Sequence, residues 1–246
     1  MPILRENETI TEINENLRLI QRCDGLTFGT DAYLLAAFMR EKKNAVAMDM
    51  GAGTGIISLL CMAKGKFKKT FCVEVQESFA DIIQRNAALN CLSDKMEILC
   101  RDVRELAHAD TQGEVDVVFS NPPYMKTDSG KRNEADEKYI ARHEVRGSID
   151  DFCASAAKML KHGGNFYVVY RPDRLIDLIA ALRKYKLEPK RMTFVCARVD
   201  SEPSMVLVES KLGGAAGVRV TEPLILTEAD GSQTERAKKI YENCNF

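Results

Sequence analysis

The stretch AVAMDMGAGTGIISLLCMAK, residues 45–64, decides the fold. Its first six residues are a short apolar run suited to a buried strand, and residues 55–64 are apolar all round and read as a helix. Between them lies Asp49-Met50-Gly51-Ala52-Gly53-Thr54-Gly55. Glycines at such a junction let the backbone approach a ligand closely, and the helix N-terminus behind them favours polar or anionic groups. The spacing departs from the dinucleotide fingerprint, which needs Gly or Ala three residues after its second glycine; Ile56 stands there. A carboxylate at Asp49 would repel a pyrophosphate but suits a cation such as an aminoacyl ammonium. Nicotinamide cofactors are disfavoured.

Strand and helix alternate beyond this unit. TFCVEV (70–75), KMEILC (95–100), VDVVFS (115–120) and GGNFYVVY (163–170) read as strands. ESFADIIQRNAAL (77–89), SIDDFCASAAKML (148–160) and DRLIDLIAALRKY (173–185) read as helices, Ser148 and Asp151 forming a capping pattern. RMTFVCARV (191–199) and SMVLVES (204–210) read as a hairpin. The expected class is α/β: a doubly wound, mostly parallel seven-stranded sheet, with an antiparallel C-terminal hairpin as its edge pair. A polar lead-in and a helix (Asp31–Arg40) precede the first strand. A glycine-rich turn, the run VRVTEPLIL (218–226) and a short helix end the chain. With no linker, repeat or low-complexity tract, one domain is expected over 1–246: a lead-in 1–44, a core 45–210 and an extension 211–246.

Composition narrows the partners. A formal net charge of -1 gives no bulk basicity, so any nucleic-acid contact must come from local patches. The eight cysteines are scattered without a Cys-x-x-Cys pair, and the three histidines have no zinc-ligand spacing. The N-terminus lacks an apolar signal core, and no run of about 18 apolar residues occurs. These features predict a reduced cytoplasmic protein with neither metal nor membrane. Lys64, Lys66, Lys68 and Lys69, like Arg183, Lys184, Lys186, Lys190 and Arg191, fall in connections opposite the ligand edge and are expected on solvated faces.

Acidic residues end the next two strands. Glu74 follows Gly55 at the distance where such folds hold ribose hydroxyls, and Asp102 follows the third strand, where a carboxylate could meet an adenine amino group. Together with Asp49, Gly51, Ala52, Gly53, Thr54 and Gly55 they outline a nucleoside-cofactor site. The fourth strand ends in Asn121-Pro122-Pro123-Tyr124, and a charged segment follows to Glu144.

Asp49–Gly55, Glu74, Asp102 and Asn121–Tyr124 resemble the class I S-adenosylmethionine-dependent methyltransferases. The tetrapeptide resembles the subset acting on planar nitrogens, either exocyclic amines of bases or the glutamine amide. Across the chain, DGLTFGTDAYLLAAF (24–38), ARHE (141–144), YRPDRL (170–175) and GGAAGVRVTEPLIL (213–226) are similar to the bacterial tRNA1(Val) adenosine N6-methyltransferase family. The resemblance implies S-adenosylmethionine as cofactor and tRNA as partner. It sets Thr30 and Asp31 over the methionine end of the cofactor; a plain first-turn carboxylate is the other reading of Asp31.

The tetrapeptide fits this chemistry. An aromatic amine delocalises its lone pair into the ring, and two acceptors, the Asn121 side-chain oxygen and the Pro122 carbonyl, would bind its hydrogens and aim the lone pair at the methyl group. Pro122 and Pro123 stiffen the turn, and Tyr124 offers a stacking face for a base that has left its own stack. Lys126, Arg142 and Arg171 are the candidate RNA contacts, while His143 reads as solvated. Two alternatives stay open: a release-factor glutamine methyltransferase, disfavoured because only 44 residues precede the first strand, and a catalytically silent RNA-binding module.

Overall fold

The computed structural model describes residues 4–23, 29–122, 147–244 and 246. A hairpin comes first, β1 (Glu8–Asn14) and β2 (Leu17–Arg22), then helix α1 (Thr30–Phe38). Strand and helix then alternate through β3 (Val46–Met50), α2 (Ile56–Ala63), β4 (Lys69–Glu74), α3 (Glu77–Leu89), β5 (Met96–Cys100) and β6 (Val115–Ser120). Next come α4 (Ile149–Met159), β7 (Leu160–Tyr170), α5 (Leu175–Lys184), β8 (Leu187–Cys196) and β9 (Pro203–Leu212). The two-residue strands β10 (Arg219–Val220) and β11 (Leu224–Ile225) and helix α6 (Glu235–Asn243) follow.

The main sheet runs β8-β9-β7-β6-β3-β4-β5, and β10 and β11 both pair with β8. Neighbours from β7 to β5 are parallel, so their C-terminal ends share one edge. Side chains alternate between two cores. Ala47, Cys72, Phe119, Tyr167 and Leu207 face the layer of α1, α2, α3 and α6. Met48, Val73, Val118, Phe166 and Val208 face that of α4 and α5. The seven expected strands are present, and the hairpin forms the expected antiparallel edge pair: β9 lies between β7 and β8, antiparallel to both, with only the two-residue β10 and β11 beyond β8. Val206, Leu207 and Val208 are fully buried; such a run belongs inside a sheet.

The lead-in departs from expectation, because it folds as the β1–β2 hairpin against α3. Asn86 and Asn90 are one helical turn apart, and Arg18 and Ile20 are two residues apart on β2, so the two spacings match. Asn86 accepts from the Ile20 amide at 2.6 Å and donates to the Ile20 carbonyl at 3.0 Å. Asn90 does the same with Arg18 at 2.9 and 2.7 Å. The two amides thus satisfy a strand edge as a further strand would. Arg85 adds a bidentate pair to Glu8 at 2.7 and 2.6 Å, which holds the Glu8 carboxyl below its usual range.

Helix α1 is fixed at its C-terminal end, where the last carbonyls have no partner within the helix. Lys66 is buried, and its Nζ donates to the carbonyls of Ala36 at 2.7 Å, Ala37 at 3.3 Å and Met39 at 2.9 Å. Arg191 donates to the remaining one, Phe38, at 2.5 Å, lies over the Phe38 ring and pairs with Glu209 at 2.8 Å. Two cations expected on solvated faces are therefore structural, while Lys64 and Lys68 are exposed.

Candidate functional site

The glycine loop turns across the tip of β4, with the Gly51 and Ala52 amides both donating to the Val73 carbonyl at 2.9 Å. Gly51, Gly53 and Gly55 all adopt positive φ, where a side chain is strained. At Gly55 an added Cβ would meet Ile83 at 3.0 Å, so tight packing requires glycine there. At Gly53 an added Cβ would meet nothing within 4 Å among the described residues, so the backbone there borders open space between them. Thr54 is held from behind, its carbonyl accepting from the buried Asn86 at 3.0 Å.

Three carboxylates stand around this loop in different states. Glu74, at the end of β4, accepts from the Gly53 amide at 2.9 Å and the Gln76 amide at 3.0 Å. It therefore latches the loop as well as ending the strand. Asp102 accepts from the Arg104 side chain at 2.5–3.1 Å and its amide at 2.9 Å, which holds its carboxyl below the usual range. Asp49 is buried. One oxygen accepts from Ser58 at 2.7 Å, and the other has no hydrogen-bond partner. Burial pushes its carboxyl up to about 7.

The tip of β6 adjoins the loop, since Ser120 Oγ donates to the Met50 carbonyl at 2.7 Å. The next residue, Asn121, is part-buried, and its Nδ2 donates to Asp31 Oδ2 at 2.6 Å. Thr30 and Asp31 form the first turn of α1 with Gly29 as N-cap. One edge thus gathers the loop, Glu74, Asp102, Asn121 and the start of α1. Arg171 follows β7 on the same edge, beside a cleft of about 730 Å³ shared with Glu202 and Ser204. Its guanidinium meets Asp173 at 2.9 and 2.7 Å in an exposed ion pair. Pro123, Tyr124, Lys126 and Arg142 lie outside the described residues, as does Glu144.

Burial pushes the Cys61 and Cys72 thiols up, and that of Cys153 to about 12. Among the described residues no three His, Cys, Asp or Glu side chains are grouped to hold a metal ion, and no helix is long and apolar enough to cross a membrane.

A family model described as the methyltransferase small domain matches residues 24–184. The chain belongs to that family.

Relatives and solved structures agree with this membership. A protein of Phocaeicola vulgatus named tRNA1(Val) (adenine(37)-N6)-methyltransferase is 31% identical over 190 residues, 77% of this chain and 78% of its own. One of the same name from Porphyromonas gingivalis is 28% identical over 211 residues, 82% of each chain. The crystal structure of a predicted O-methyltransferase from Agrobacterium tumefaciens has a TM-score of 0.71, covering 88% of this chain and 97% of that one; at 22% identity it speaks for the fold.

Two residues of this candidate site escaped the sequence reading. Asn86 had a signal: it falls on the apolar face of α3 with Ile82, Ile83 and Ala87, where an amide needs a partner. Gly29 had none, since nothing local marks it as making room for the side chain of Asp31.

The buried Asp49 makes a pH prediction for the methyltransferase without ligand. The folded protein keeps this proton up to about pH 7, whereas an unfolded chain releases it near 3.8. Between those values the folded state binds more protons, so this group's contribution to stability falls as pH rises. Asp49→Asn has no proton to lose. Its stability relative to wild type should therefore grow by about 2 kcal/mol from pH 5 to pH 7. Urea unfolding at both pH values measures this, and an unchanged difference would mean Asp49 stays ionised throughout.

Proposed function

We propose that this methyltransferase transfers a methyl group from S-adenosylmethionine to N6 of an adenosine in the anticodon loop of tRNA, the base 3′ of the anticodon in a valine tRNA. The observation carrying the reading is the placement of Asn121-Pro122 just past the tip of β6, which Ser120 ties to Met50 beside the glycine loop of a methyltransferase-family chain. The relatives' shared name supplies the nucleoside.

The cofactor fits the residues at this edge. Among the described residues, Asp49 has a buried oxygen without a partner, and Gly53 borders open space. Asp49, Gly51, Ala52, Gly53, Thr54 and Gly55 would cradle it, Glu74 would receive ribose hydroxyls and Asp102 an adenine amino group, with Thr30 and Asp31 bordering the methionine end. Bound there, S-adenosylmethionine supplies an electrophilic sulfonium methyl.

The chain's own part is positioning. The Asn121 Oδ1 and the Pro122 carbonyl accept the two hydrogens of the target amine, which draws its lone pair out of conjugation and directs it along the line of attack. The turn is pre-set, because Pro122 fixes its own φ and Ser120 ties the strand tip to Met50. Pro123 and Tyr124 complete the tetrapeptide in sequence, and the role proposed for the Tyr124 ring is to stack on the extruded base. Lys126, Arg142 and Arg171 would meet the flanking phosphates; at Arg171 a phosphate must displace Asp173.

Nucleoside mass spectrometry on tRNA from cells with and without the protein tests this reading. N6-methyladenosine should disappear from one tRNA on deletion and return with the intact gene. Labelled methyl from S-adenosylmethionine should enter bulk tRNA. Its entry into a release factor instead would overturn the proposal.

A further inference from the structure

Helix α1 brings a carboxylate to Asn121 from 90 residues away in sequence, at 2.6 Å from Oδ2 to Nδ2. An ionised carboxylate only accepts hydrogen bonds, so it dictates which end of the amide faces it. The NH2 must turn toward Asp31, which directs Oδ1 the other way. This matters because an asparagine amide has two orientations of similar shape, related by a flip. Flipped, Asn121 would present N–H to the hydrogens of a substrate amine, and donor would meet donor.

Asp31 is itself held in place. Its Oδ1 accepts from the Ala32 amide at 3.0 Å, so the carboxylate folds back on the N-terminus of its own helix. The residue beneath it is Gly29, where an added Cβ would lie 2.6 Å from Oδ1. Each carboxylate oxygen thus receives one donor, Ala32 on one side and Asn121 on the other. The negative charge also polarises the amide and makes Asn121 Oδ1 a stronger acceptor.

We propose that Asp31 is a positioning residue for methyl transfer, fixing the Asn121 amide in the orientation that accepts from the target amine. The proposal rests on the acceptor role of Asn121 given above. It assigns Asp31 to the substrate side of the reaction rather than to cofactor affinity.

Asp31→Asn is the first variant, since asparagine has one oxygen for two donors and cannot satisfy both Ala32 and Asn121. Turnover at saturating S-adenosylmethionine and tRNA should fall about 10- to 100-fold. Cofactor affinity by calorimetry and the KM for tRNA should stay within about threefold of wild type. Asp31→Glu keeps an acceptor-only group and should recover part of the rate. Gly29→Ala guards against misfolding of the first variant: φ -96° and ψ 178° admit alanine, and among the described residues its methyl presses on the Asp31 carboxylate. It should lower turnover in the same manner.

The deciding measurement is the double variant. In an Asn121→Ala background, with no amide left to orient, Asp31→Asn should have no further effect on single-turnover rate. A full additional loss there would overturn the proposal, as would lost cofactor affinity with turnover intact. If Asn121→Ala alone kept normal turnover, the acceptor role would be at fault, and that result is separate from either outcome at Asp31.

Discussion

Asn121→Ala should lower turnover by about 10²- to 10³-fold, the usual effect of removing one aligned group that stabilises developing charge. The side chain stands at the end of a strand whose last residues are fully buried, Phe119 and Ser120, so truncating it leaves the strand in place. The Ser120 bond to Met50 is untouched, and with it the seat of the glycine loop. Affinity for S-adenosylmethionine should therefore remain within a few-fold of wild type. Single-turnover transfer of labelled methyl to tRNA, beside a calorimetric titration of the cofactor, separates the two quantities. A variant that lost cofactor affinity yet turned over normally when saturated would move Asn121 out of its assigned role.

Lys66→Met should destabilise the protein by about 2–4 kcal/mol, although Lys66 is remote from the candidate site. Methionine fills a similar volume without a donor, so three carbonyls at the end of α1 lose their cation in a place water reaches poorly. Leaving a buried polar group unpaired costs about 1–3 kcal/mol, and partial relaxation of the helix end keeps three such terms from adding fully. Lys64→Met, two residues earlier and exposed, should change stability by no more than about 0.5 kcal/mol. Denaturant unfolding of both variants checks the contrast. Equal effects would mean that the Lys66 contacts contribute no more than a surface charge does.

The contrast between Lys66 and Lys64 also shows where sequence reading stops. The glycine loop, Glu74 and the Asn121 turn were legible because each is a contiguous signal at the end of a strongly apolar strand, and parallel strands bring such ends to one edge. Lys66 was not, since its partners lie 27–30 residues away and nothing local separates it from its neighbours. The β1–β2 hairpin was missed for a related reason. Residues 8–11 are all partly buried, without the alternation that marks a half-buried strand, and the edge of β2 is completed by asparagines of a later helix. The place of β9 depends on pairing across the sheet. The hairpin reading set β8 and β9 as the edge pair, and that pairing decides which of the two lies inward.

Because β9 sits between β7 and β8, the molecule cannot be completed in the order in which it is made. A ribosome releases the cofactor-facing half first, from the glycine loop through Asn121. Until residue 212 emerges, β7 is an unpaired edge of the kind that invites association with other chains. The Phe38 carbonyl at the base of α1 likewise waits for Arg191, and Arg191 waits for Glu209. Nascent chains paused within β8 would thus carry the glycine loop beneath an α1 held by Lys66 but not yet by Arg191, so strands made late complete the fastening of the first helix.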